Sequence, residues 1–202
     1  MTHIESVTLE APDPGAVEAF AAAVAPGLPV RARTGDAPTT GFRGYTLSLV
    51  VPQPSVVDAL VDAALRAGGT AVQPPRKSLW GYGGSVSGPD GSIWTFASSA
   101  KKDKGPVDPR IDEFIVQIGV EDVAASKRFL VERGLQVAKS FGRRYVQFAA
   151  PSSPISLALL NRRTLAKNAG VAPEGEGSHR IAITSAAGDF TDPDGFTWEA
   201  AG

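Results

Sequence analysis

The sequence predicts an α+β chain of two tandem units, each reading strand, helix and then three strands. Three observations carry this. Pro-Asp-Gly occurs twice in the 202 residues, at Pro89-Asp90-Gly91 and Pro193-Asp194-Gly195, 104 positions apart. Each copy leads into a segment with a tryptophan three residues beyond the glycine, Trp94 and Trp198. Asp13 and Asp122 each stand between an alternating segment and a helical pattern, 109 positions apart, and Phe20 and Phe129 repeat that offset. Matching roles at nearly constant offset argue for duplication. The first unit is expected at residues 1–100, a linker at 101–110, and the second unit at 111–202.

The elements follow in order. Over residues 4–11, Val7, Leu9 and Ala11 fall on one face and Ser6, Thr8 and Glu10 on the other, the period of a half-buried strand. Asp13 can accept orphan N–H bonds as a helix cap, and Pro14 suits the first helical position. Val17, Phe20, Ala21 and Val24 then recur at helical spacing until Pro26-Gly27. Residues 30–33 and 45–51 read as a strand pair. Ser55-Val56-Val57-Asp58 is a capping-box pattern with Asp in place of Glu, opening a helix over 55–67 that Gly68-Gly69 closes. A short extended stretch, the loop at 80–84, the first Pro-Asp-Gly turn and a strand to Ala97 complete the unit. Residues 98–108 are polar and lack large apolar side chains, as a linker does.

The second unit starts over. Across 114–120, Val116, Ile118 and Val120 share one face and Ile115, Gln117 and Gly119 the other. Asp122 caps the next helix, Phe129 and Leu130 lie on its apolar side, and Gly134 ends it. Residues 145–149, 155–160 and 180–184 read as strands before the second Pro-Asp-Gly turn and the last strand. The segment 168–178, rich in Gly and Glu, is expected to form no helix.

Bulk properties narrow the function classes. A composition of 43% hydrophobic and 20% charged residues is that of a globular chain able to bury a core without staples. A net charge of -1 gives no electrostatic footprint for nucleic acid or an anionic membrane. The absence of cysteine removes disulfides, thiolate catalysis and Cys-based metal sites, and fits a cytoplasmic protein. No apolar run reaches the ~18 residues of a membrane span. The start, Met1-Thr2-His3-Ile4-Glu5, lacks the pattern of a signal peptide.

The element order, with a Pro-Asp-Gly turn before the last strand, resembles the vicinal oxygen chelate superfamily, which includes glyoxalase I, extradiol dioxygenases and bleomycin-resistance proteins. Residues Trp80-Gly81-Tyr82-Gly83-Gly84 through Pro89-Asp90-Gly91 resemble one copy of its signature segment, and Ser178-His179-Arg180-Ile181 through Trp198-Glu199 the second. The resemblance covers almost the whole chain. It implies two tandem βαβββ modules forming a curved mixed-sheet cup, helices outside and ligand inside. It also implies metal ligands at Ser6 and Ile115, where the superfamily carries histidine, and at Thr95 and Glu199, where it carries glutamate. Only Glu199 matches.

The two histidines, His3 and His179, would both have to converge with Glu199 to build a two-histidine, one-carboxylate site. His3 lies three residues from Ser6 and so points to the other face of a regular strand. The expectation is therefore no metal and no cofactor. Glu199, the best catalytic candidate, reads either as a cup carboxylate able to act as base or bind a cation, or as a surface carboxylate. Trp80 and Tyr82 read as ligand contacts or as a seal on the sheet edge. Trp94 and Trp198 have the opposite parity from Thr95 and Glu199 and belong to the core.

The Gly81–Gly88 run does not precede a helix, so it offers no phosphate-binding helix terminus. Arg143-Arg144 and Arg162-Arg163 read as solvated pairs. The expected function is a metal-free binder of a small, partly aromatic molecule, of the glyoxalase/bleomycin-resistance kind. Its expected wall is Ser6, Thr8, Glu10, Trp80, Tyr82, Thr95, Gln117 and Glu199. The alternative is a lyase, isomerase or dioxygenase, either metal-dependent or using Glu199 or Glu10 as general base. A homodimer is compatible with either.

Overall fold

The computed structural model describes residues 2–79, 81–149 and 151–202. Trp80, one of the expected wall residues, lies outside them. The expected alternation forms β1 (Ile4–Ala11). Next comes α1 (Pro14–Val24), capped by the Asp13 carboxylate, which accepts from the Ala16 N–H. After β2 (Val30–Thr34) and β3 (Thr39–Gly41), β4 (Tyr45–Val50) runs into α2 (Pro54–Arg66). That helix starts one residue before the capping-box pattern, on Pro54, and the Ser55 N–H donates instead to Asp103 of the linker. Gln53 ties down the same linker through the carbonyls of Gly105 and Pro106. β5 (Thr70–Ser78), β6 (Gly81–Ser87) and β7 (Ile93–Ser98) follow.

The second half opens with β8 (Glu113–Val120) and α3 (Val123–Glu132), capped by Asp122 through the N–H groups of Ala124 and Ala125. β9 (Val137–Ser140), β10 (Tyr145–Phe148) and β11 (Ser156–Asn161) lead directly into α4 (Arg162–Ala169). The chain ends with β12 (Gly175–Gly177), β13 (Ile181–Ser185), β14 (Phe190–Thr191) and β15 (Thr197–Ala200).

The strands form two large mixed sheets, neither closed into a barrel. One has eight strands in the order β5-β6-β7-β4-β8-β11-β10-β9, and the other five, β14-β15-β13-β1-β2. In the larger sheet β4 pairs antiparallel with β8, while each is parallel to the last strand of its own strand-helix-three-strand run, β7 and β11. The smaller sheet joins β1 and β2 to β13 and β15, so the first and last segments of the chain meet. Residues 30–33 and 45–51, expected as a pair, therefore lie in different sheets. β2 continues parallel to β1 after the α1 crossover, because a helical connection returns a strand in the same direction. Among the described residues no helix is long and apolar enough to cross a membrane.

The main core lies on the convex faces of both sheets. Val7 and Leu9, Leu47 and Leu49, Val116 and Ile118, and Trp94 and Trp198 bury their side chains there against α1, α2 and α3. The two tryptophans are 0% and 1% exposed, as their parity requires. A second apolar cluster lies on the concave face of the larger sheet, where Ile115, Ala158 and Leu160 pack against Phe42 and against Leu165 and Ala166 of α4.

That helix corrects the reading of Arg162-Arg163 as a solvated pair; it ends two residues into the 168–178 segment, the rest of which forms no helix. The Asn161 side chain caps it, and Gly170, at φ 79°, closes it in the left-handed conformation that glycine adopts without strain. The Arg162 guanidinium donates to the carbonyls of Phe42, Pro173 and Gly175. The Ser85 hydroxyl donates to the Ala169 carbonyl at 2.6 Å. Beyond the helix, β12 pairs with β3, and the close approach at Gly175, where a Cβ would stand 2.2 Å from the Phe42 carbonyl, admits only glycine.

Candidate functional site

The expected wall divides between two concave faces. Ser6, Thr8 and Glu10 on β1 and Glu199 on β15 belong to the five-stranded sheet. Ser6 pairs with Thr184 and Thr184 with Glu199, so these three share its concave face. Arg33 on β2, beside Glu10 in register, joins them. Its Nη2 and Nε donate to Glu10 Oε1 at 2.6 and 3.1 Å, and its Nη1 donates to Glu199 Oε1 at 2.6 Å. β2 and β15 stand three strand positions apart, roughly 14 Å at the usual inter-strand spacing. A β2 side chain meets a β15 carboxylate only because the sheet curves.

The cluster is half-open: the Arg33 side chain is 41% exposed and those of Glu10 and Glu199 23% and 33%. The hydrogen bonds that Arg33 donates to Glu10, first, and to Glu199 hold the guanidinium above its ordinary pKa. Among the described residues neither carboxylate's Oε2 takes a protein donor, which leaves one free acceptor oxygen on each. Close by, Glu10 and Thr197 line a cleft of about 330 Å³ together with Ser178, His179 and Arg180.

Thr95 and Gln117 lie on the concave face of the eight-stranded sheet, apart from the carboxylates. Gln117 Oε1 accepts from the Thr46 hydroxyl at 3.0 Å. Further along β8 the same parity brings up Glu113, which accepts from the Ser156 hydroxyl and the Gln147 amide. The Tyr145 hydroxyl completes that cluster by donating to Gln147 Oε1. Burial, and secondarily Glu113, pushes the Tyr145 pKa up to about 12. α4 packs against the middle of this face, on Ile115, so the larger cup is filled from within. Tyr82 faces the other way, and its hydroxyl donates to Asp58 of α2 on the convex side. Its place two residues from Gly84, which pairs with core-facing Phe96, sets that parity.

Sequence reasoning missed Arg33 and Glu113. Counting by twos locates both: Glu113 from Gln117 through Ile115, and Arg33 once β2 is paired with β1.

The two Pro-Asp-Gly turns solve one problem in two ways. Each must satisfy a buried indole N–H. In the second, Trp198 Nε1 donates to the Asp192 carboxylate, which also accepts from the N–H groups of Asp194 and Phe196. In the first, Gly88 stands in the place of Asp192, and Trp94 Nε1 donates to the Ser92 hydroxyl, itself a donor to Asp90. Burial raises the Asp192 pKa, against the opposing effect of its hydrogen bonds. Asp194 accepts from the Glu121 N–H and the Ser126 hydroxyl, which fixes the first turn of α3.

The donor set does not fit a metal held in the manner the superfamily resemblance implies. Ile115 is buried in an apolar cluster, Thr95 lies in the eight-stranded sheet apart from Ser6 and Glu199, and Glu199 is engaged by a guanidinium. The His3 ring hydrogen-bonds to Glu5, its one side-chain partner among the described residues. His179 stacks on Phe196, ring centroids 3.9 Å apart, with its two nitrogens against the carbonyls of Arg43 and Asp194. Among the described residues no three His, Asp or Glu side chains gather to hold an ion.

This architecture is that of the vicinal oxygen chelate fold. Solved structures bear this out. Glyoxalase I from Zea mays superposes with a TM-score of 0.61 over 99% of this chain and 92% of that one, at 13% identity. A putative dioxygenase from Bacillus subtilis gives 0.54 over 90% of this chain and 69% of its own, at 15% identity. No protein-family model and no curated protein matches the sequence.

Proposed function

We propose that the chain binds a small molecule carrying a basic nitrogen on the open concave face of the five-stranded sheet, with no metal in the site. The single observation behind this reading is the Glu10–Arg33–Glu199 cluster. It gathers two carboxylates from opposite ends of the chain and satisfies only one oxygen of each. Two unmatched acceptors on a half-open face suit a ligand that brings donors, such as an amine or amidine. Thr8 and Thr184 add neutral polar contacts on the same face, and the flat ring of His179 borders the neighbouring cleft. The fold supports the reading, since a curved sheet of this kind presents a concave surface of ligand size.

The test is isothermal titration with benzamidine and with bleomycin, alongside metal analysis of the purified protein. Binding of either probe that Glu10→Gln/Glu199→Gln weakens at least tenfold, in protein without stoichiometric metal, supports the proposal. Binding that ignores both substitutions, no binding of either probe, or one equivalent of a divalent metal overturns it.

A further inference from the structure

The two large sheets end in four edge strands, β5 and β9 in one and β14 and β2 in the other. Three are blunted. β14 is two residues long. On β2 the Ala32 N–H donates to Glu18 Oε1 of α1 at 3.3 Å, so a side chain already occupies that donor. β5 carries Pro74-Pro75, which offer no N–H, and its pairing with β6 is irregular around them. Among the described residues β9 has none of these devices, and all four of its residues are exposed. Just past its end, the Phe141 N–H donates to the Tyr145 carbonyl of β10. Backbone groups alternate in direction along an antiparallel strand. Ser140, opposite Val146, therefore turns its N–H and C=O to the open side. An unpaired edge of this kind is a template for another strand.

The charges at this edge are of one sign. Between Glu132 and Glu174 the sequence has seven Lys and Arg residues and no Asp or Glu, in a chain whose net charge is -1. Three of the seven, Lys139 on β9 and Arg143 and Arg144 in the turn to β10, are exposed. Among the described residues none of the three forms a salt bridge. Lys139 stands opposite Gln147, on the concave side. Phe141, two residues on and 68% exposed, holds its ring 6.0 Å from that of Tyr145. A second copy paired across this edge would bring two such clusters together, and like charges facing across a strand pair are destabilising. A phosphate backbone would match the charge but has no donor for the Ser140 carbonyl. An acidic peptide matches both, through its main chain and its carboxylates.

We propose that β9 docks an extended acidic segment of a partner protein, added as the next strand of the eight-stranded sheet. The segment's main chain pairs with Ser140, and its carboxylates meet Lys139, Arg143 and Arg144. This edge belongs to the other sheet from the Glu10–Arg33–Glu199 face, and docking there is independent of that face.

The experiment is an amide-resolved NMR titration of the full chain with a capped hexapeptide of alternating glutamate and valine. The lysine–valine hexapeptide and a short oligothymidylate serve as matched probes. The glutamate–valine peptide is expected to shift the Lys139, Ser140 and Phe141 amides, to slow solvent exchange of the Ser140 amide, and to bind more tightly than either control. Lys139→Glu/Arg143→Glu/Arg144→Glu, all at exposed positions, is expected to weaken it about tenfold, the combined effect of three screened ion pairs. Ser140→Pro, which removes the outward N–H and leaves the charges in place, is expected to weaken it as well. Absence of binding, shifts confined to other amides, or unchanged affinity in the charge variant would each overturn the proposal. Preference for oligothymidylate would overturn it in favour of a nucleic acid. Broadening of the β9 amides that grows with protein concentration in the absence of peptide would overturn it in favour of a second copy.

Discussion

Replacing Leu165 by alanine probes the helix that fills the larger cup. Leu165 is fully buried, on an eight-residue helix whose other buried contacts, Ala166 and Ala169, are small. It is therefore the main apolar anchor of α4 against Ile115, Ala158 and Leu160. Buried Leu→Ala changes cost about 2 to 5 kcal/mol, depending on how far the site can collapse. The hydrogen bonds of Arg162 and Ser85 hold α4 in place, so collapse is limited and a loss of about 3 kcal/mol is expected. For a chain of this size that lowers the melting temperature by roughly 6 to 12 °C. Urea unfolding followed by the fluorescence of buried Trp94 and Trp198 measures the free energy directly, since both report on the main core. A loss under about 0.5 kcal/mol, the range of surface substitutions, would mean that α4 is not part of the cooperative structure and would refute the reasoning.

Other perturbations test the remaining features. Arg33→Ala removes hydrogen bonds that are partly exposed and therefore screened, so the stability cost should stay near or below about 1 kcal/mol. The same substitution should strengthen benzamidine binding several-fold in titration calorimetry by freeing both carboxylates, and weaker binding would contradict the proposed role of the cluster. Ser6→Ala removes an unpartnered buried hydroxyl and should raise the melting temperature, by roughly 2 to 4 °C for each kcal/mol gained. Asp192 has a raised folded-state pKa, so the folded chain binds more protons than the unfolded one between the two values, and this component of stability falls as pH rises through that window. Melting curves from about pH 3.5 to 6 should show the component in the native protein and not in Asp192→Asn, and identical pH profiles would contradict it.

The sequence carried the fold further than the site. The caps at Asp13 and Asp122 and the burial of both tryptophans were readable, because period-two and period-3.6 patterns and turn residues report local backbone directly. The assignment of strands to sheets was not, because β2 and β4 differ in their long-range partners rather than in local pattern. Parity selects Glu10 and the superfamily resemblance selects Glu199, and the structure brings them together through Arg33. What joins them, Arg33, depends on sheet curvature and on a β1–β2 register that no local spacing encodes. Read in a loop, Tyr82 is a ligand contact or a seal on the sheet edge, whereas β6 continues through it and turns its hydroxyl to Asp58 on the convex side. α4 was legible in hindsight, with Asn161 at the cap, Leu165, Ala166 and Ala169 at helical spacing and Gly170 at the stop, but its paired arginines read as a solvated surface.

α4 fills the concave face of the eight-stranded sheet and leaves the five-stranded face as the open one. Methyl-resolved NMR tests this most directly. Nuclear Overhauser contacts are expected from the Leu165 methyl groups to those of Ile115 and Leu160, together with slow exchange of the α4 amides. Absence of those contacts, with α4 amides exchanging as fast as the exposed linker, would contradict it.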